Sequence, residues 1–89
     1  MRVLIEGRRV REIAKAQAEA GEKDAATITF EAAKEMAGAI EYVETKAIVL
    51  SEIAQTQAES GEKNAAMITI EAVKGMAGVM KDAWIKAGR

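Results

Sequence analysis

The sequence predicts an all-α protein of about four helices, arranged as two stacked antiparallel helix-turn-helix repeats. Three observations carry this. Segment 12–40 returns forty residues later as 52–80, with about two-thirds of the 29 aligned positions identical. Self-similarity at a fixed period of this size marks a stacked repeat, in which each unit covers its neighbour's apolar face. The 89-residue chain has no Pro and is rich in Ala, Glu, Lys, Ile, Met and Gln, all of which a helix accommodates at little cost. Within each period the apolar residues recur at i, i+3, i+4, i+7, and a Gly closes each first run.

The first helix carries Val10, Ile13, Ala14 and Gln17 on one face. Segment 1–11 aligns with 41–51 but lacks its apolar residues at the outer positions, so this helix is expected to start late. Gly21 fits the left-handed position just past a helix end, and a tight turn is expected at 21–23. Asp24 follows as an N-cap or first-turn acceptor. A turn this short forces the flanking helices antiparallel.

The second helix has two apolar stripes, one of Ala26, Phe30, Ala33, Ala37 and Ile40 and one of Ala25, Ile28, Ala32, Met36 and Ala39. A helix apolar on two sides is expected to be covered on two sides. The junction 37–45 holds one Gly and no strong cap, and leaves two readings: a turn near 41–43, or one continuous helix over about 24–60 that would favour a domain-swapped dimer.

The second period repeats the plan. Its first helix carries Leu50, Ile53, Ala54 and Gln57; a turn at 61–63 follows Gly61, and Asn64 stands where Asp24 stood. The last helix repeats both stripes, with Ala66, Ile70, Val73, Ala77 and Met80 beside Ala65, Ile68, Ala72, Met76 and Val79. The chain thus divides into repeat 1 at about 2–41, repeat 2 at about 42–81, and a partial third repeat or cap at 82–89. Trp84 and Ile85 would either fold back over the exposed face of the last helix or contribute to an oligomer contact.

These positions resemble the tetratricopeptide repeat, which places a bulky residue, Leu-Gly and an aromatic on its first helix and Ala then Phe on its second. Here Val10, Ile13-Ala14, Ala26 and Phe30 take those places, followed by Leu50, Ile53-Ala54, Ala66 and Ile70 in the copy. Gln17 and Gln57 stand where the family has an aromatic, the usual inter-repeat Pro is missing, and the period is 40 instead of 34. The resemblance is to a long-helix variant of the family. It implies a protein–protein interaction or scaffold module whose peptide or protein partner lies in the groove lined by the first helix of each repeat. Carried onto this chain, the groove positions are Arg8, Arg11, Glu12, Lys15 and Glu19, then Ser51, Glu52, Gln55 and Glu59.

Chemistry is restricted by what the chain lacks. It has neither Cys nor His, so no disulfide framework, zinc knuckle, thiol nucleophile or imidazole base is expected. Carboxylate pairs such as Glu31/Glu35 have helix-surface spacing with lysines nearby and read as a solvated face. The chain is expected to be a non-enzyme without cofactor or metal. Net charge is −1, with the first twenty residues basic, 21–60 acidic and the remainder basic. Nucleic-acid binding through Arg2, Arg8, Arg9 and Arg11 is a minor expectation, because no aromatic platform accompanies them. No apolar run approaches a membrane span, and a cytoplasmic protein is expected. Exposed apolar helix faces make self-association as a homo-oligomer the other expectation, in the extreme as a structural or engineered repeat whose only partner is itself.

Overall fold

A computed structural model describes the backbone of residues 2–87 and the side chains of residues 5–78. The protein consists of four helices, α1 (Arg2–Glu19), α2 (Lys23–Gly38), α3 (Val43–Glu59) and α4 (Lys63–Ala87). They form two hairpins: α1 packs on α2, and α3 packs on α4. The hairpins stack because α3 also packs on both α1 and α2. None of the described helices is long and apolar enough to cross a membrane.

The hairpin turns follow from Gly21 and Gly61, which have φ of +86° and +87° and are the only described residues with positive φ. Any Cβ here would crowd the following carbonyl. With the chain in this conformation the Glu22 N–H donates to the Gln17 carbonyl at 2.9 Å and the Gly21 N–H to the Ala18 carbonyl at 3.0 Å. Glu62, Gly61, Gln57 and Ala58 repeat the pattern. This pair of bonds is the Schellman closure, which satisfies carbonyls the helix end leaves open.

The second helix of each hairpin begins one residue before Asp24 or Asn64, so of their two expected places these residues take the first turn and not the N-cap. Lys23 and Lys63 are already helical. The N-cap of α2 is Glu22, whose side chain makes no capping bond. Its carbonyl accepts from the Ala26 N–H at 2.9 Å and opens the helix. Asp24 acts through its charge at the positive end of the helix dipole.

The first helix corrects an expectation, since α1 starts at Arg2 and not late. Missing outer apolar residues do not stop a helix when Arg, Leu and Glu favour it and the rest of α1 docks along α2.

Between the hairpins the chain turns at 39–42, two residues earlier than expected, and the continuous helix over 24–60 is not formed. The Ala39 N–H donates to the Met36 carbonyl and the Ile40 N–H to the Ala37 carbonyl, tightening the end of α2. Tyr42 is extended (φ −78°, ψ 119°) and caps α3. The turn lets α3 fold back and bury Val49, Leu50 and Ile53, a gain the straight helix would forgo. The corresponding stretch of α4 does not break and runs on to Ala87. Trp84 and Ile85 lie outside the described side chains; their backbone continues α4 and does not turn back.

The core is Ala14, Ala26, Phe30, Ala33, Ala37, Val49, Leu50 and Ile53, with Val10, Ala18, Ile40, Val73 and Met76 packed around it. One aromatic ring sits among alanines, which let helix axes approach closely. The first predicted stripe of α2 is therefore buried. The second is only partly covered: Ala25 and Met36 are half-buried, but Ile28 is 71 % exposed and Ala32 and Ala39 are exposed, as are Ile68 and Ala72 in the matching stripe of α4. Among the described residues α2 meets only α1 and α3, which cover one side of it, while α4 meets α3 alone. Two apolar stripes per helix did not imply two covers.

Candidate functional site

The first helices of the two hairpins, α1 and α3, lie in contact. They run in the same direction, because each chain reversal between them returns the path. An ion cluster spans them. The Arg8 guanidinium donates to both Glu52 carboxylate oxygens at 3.2 Å, through Nε and Nη2. Arg11 Nη1 donates to Glu52 Oε1 at 3.1 Å, and Arg11 Nη2 to Glu12 Oε2 at 3.2 Å. Glu52 is thus shared by two arginines of the other hairpin. The Arg11 side chain is half-buried, so water and salt screen its pair with Glu52 less than a pair between fully exposed charges.

The structure brings Arg8, Arg11, Glu12 and Glu52 together, whereas Ser51 and Gln55 line a separate groove between α3 and α4. Lys15 is half-buried; Glu19, Gln55 and Glu59 are exposed. The Ser51 hydroxyl donates to the Ala47 carbonyl of its own helix at 2.8 Å. The basic strip Arg8–Arg11–Lys15 is therefore not three free cations, since Arg8 and Arg11 are balanced by the Glu52 and Glu12 carboxylates. Both α1 and α3 end in a glutamate, Glu19 and Glu59, and neither has a basic residue in its last turn. These carboxylates add to the negative end of each helix dipole. The α1/α3 pair consequently runs from an arginine–glutamate cluster to an acidic end, with Lys15 between.

A second set of polar contacts was hidden in residues that read as departures from the family pattern. In hairpin one Thr29 Oγ1 lies 2.6 Å from Gln17 Oε1 and 2.9 Å from the Ala25 carbonyl oxygen. In hairpin two Thr69 Oγ1 lies 2.8 Å from Gln57 Oε1 and 3.0 Å from the Ala65 carbonyl oxygen. One hydroxyl proton cannot serve both acceptors. With the Gln57 amide turned over, Nε2 donates to the hydroxyl and the hydroxyl donates to Ala65. That arrangement also gives a partner to Gln57 Nε2, which is otherwise buried without one. Gln17 and Gln57 thus join the two helices of each hairpin by a polar link where an aromatic would do so by bulk. The visible signal is a Gln and a Thr twelve residues apart, present in both copies.

Between the hairpins, Thr27 Oγ1 lies 3.0 Å from Glu62 Oε1, tying α2 to the second turn. Among the described residues no three acidic side chains converge as a metal-holding group would require. No family model matches the chain, and no curated protein or solved structure matches it significantly.

Proposed function

We propose that the protein is a non-catalytic interaction module of the tetratricopeptide-like kind, holding a peptide or a segment of a partner protein along α1 and α3. The observation that carries this reading is the contact of α1 with α3, pinned by the Arg8–Arg11–Glu52 cluster, with Lys15, Glu19 and Glu59 following on the same two helices. The ion cluster fixes the spacing of the two helices, so the surface is pre-organised and a ligand need not order it. Its charge gradient favours a peptide with basic residues toward Glu19 and Glu59 and an acidic residue or terminal carboxylate toward Lys15. Engagement of Arg8 and Arg11 by Glu52 weighs against nucleic-acid binding, since phosphates would have to compete with an ion pair already made. Self-association through exposed apolar helix faces accompanies this function.

Selection of random displayed peptides on the immobilised chain tests the groove. Enrichment of peptides with a basic and an acidic end is expected. Lys15→Glu and Glu59→Lys should each abolish retention of the enriched peptides while helicity by circular dichroism stays unchanged. Failure to enrich any sequence, or enrichment indifferent to both variants, overturns the reading.

A further inference from the structure

Two surfaces at opposite ends of the molecule are the two halves of one junction. In the middle of the molecule, α3 packs against α1 and α2. The positions beneath it, Ala14, Phe30, Ala33 and Ala37, are buried in one cluster with Val49 and Ile53 of α3. Forty residues on, the matching positions Ala54, Ile70, Val73 and Ala77 line an open apolar groove of about 320 Å³ between α3 and α4. Phe30 is 0 % exposed, whereas Ile70 at its position is 43 % exposed. Forty residues back from Val49 and Ile53 stand Arg9 and Ile13, which with Ile5, Arg8 and Glu12 line a shallow open patch on α1. Ile53 is 0 % exposed and Ile13 is 53 % exposed.

We infer that these ends join head to tail: α1 of a second copy of this chain seats in the α3/α4 groove, and Ile13 takes the place there that Ile53 takes in the internal junction. The occupant is a second copy because the same repeated sequence already makes this contact once within the molecule, and each half left over matches the half that is filled. The exposed stripe of Ile28 and Ile68 has no such counterpart. The contact between copies is weaker than the internal one. Glu12 replaces Glu52, but Ile48 and Ser51 stand where Arg8 and Arg11 would have paired with it, and Arg9 replaces Val49. Since the two faces differ, the interface is heterologous and leaves one end of each type open, so association continues beyond a dimer as an open array or closes as a ring.

This inference rests on the self-association proposed above, and the test separates the two. Light scattering coupled to size exclusion, over about 10–500 µM (the range of a weak interface), reads the mass of the wild-type chain, Ile13→Glu, Ile70→Glu and an equimolar mixture of the variants. Both substituted side chains are exposed, and circular dichroism checks that helicity is kept. The wild type should rise in mass with concentration past the dimer or to a ring. Each variant alone should remain monomeric, with association weakened at least tenfold. The mixture should give a dimer of one copy of each, because each variant supplies the end that the other has lost. A wild type monomeric throughout removes self-association altogether. Association unaffected by both variants, or monomeric variants that fail to complement each other, keeps self-association but overturns the head-to-tail arrangement.

Discussion

At the scale of single residues, identical substitutions have opposite consequences according to backbone geometry. Gly61→Ala forces a Cβ into φ of +87° and should destabilise the chain by about 1–2 kcal/mol. Gly75→Ala lies within α4, where an added Cβ meets nothing within 4 Å, and should stabilise it by about 0.5–1 kcal/mol. Urea titration followed by circular dichroism reads both. The buried Gln57–Thr69 link gives a second test. Thr69→Val removes the hydroxyl from a fully buried amide and should cost about 1–3 kcal/mol, most of it regained when Gln57→Leu is added. Thr29→Val, facing the half-buried Gln17, should cost less, because water reaches the orphaned amide. The two glycine turns were legible in the sequence, since a Gly after a run of helix formers has one common use. The Gln–Thr link was not, because spacing alone does not reveal that residues on two helices face each other.

At the scale of elements, the sequence repeat conceals an asymmetry that burial exposes. Four helices, two hairpins and the stripe Ala26–Phe30–Ala33–Ala37 were readable from periodicity, and the family resemblance added the expected groove. What periodicity cannot supply is a neighbour. Ile13 and Ile53 are the same residue in the same local sequence, yet one is exposed and the other buried, because α3 lies on the hairpin of α1 and α2. The expected double cover of α2 failed for the same reason. The unequal lengths of α2 and α4 have the same origin: α2 ends because α3 gains by packing back on it, a tertiary gain invisible in local propensity. The site was legible in part. Placement of Arg8, Arg11 and Glu52 on facing helices followed from the repeat, but their pairing depended on the stagger between α1 and α3. These differences predict unequal costs at equivalent positions. Phe30→Ala should destabilise by about 3–5 kcal/mol, as a fully buried ring leaves a cavity. Ile70→Ala should cost under about 1 kcal/mol in dilute solution, since its side chain is already partly hydrated. Equal costs in urea titration would mean that the α3/α4 groove is covered within the monomer.

At the scale of the whole molecule, stability should follow the arithmetic of a linear array, a sum of hairpin terms and nearest-neighbour terms. The present chain has two hairpins and one junction between them, the least favourable ratio that still includes a junction. Its alanine-rich core offers little buried area per contact, so the junction, with Phe30, Val49, Ile53 and the Glu52 ion cluster, carries a large share of the total. Duplicating residues 23–62 in tandem tests this directly. The insertion supplies a copy of α2 to complete a hairpin with α3, then a copy of α3 to complete one with α4, and it adds one junction without changing either end. If nearest-neighbour terms dominate, the three-repeat chain should unfold at a clearly higher urea concentration in a single transition. Its denaturant slope should rise roughly 1.5-fold with the added surface. An unchanged midpoint would mean that each hairpin stands alone and the junction contributes nothing. Two separate transitions would mean that the inserted hairpin folds without coupling to its neighbours, and the stacked-array description of this protein would then fail.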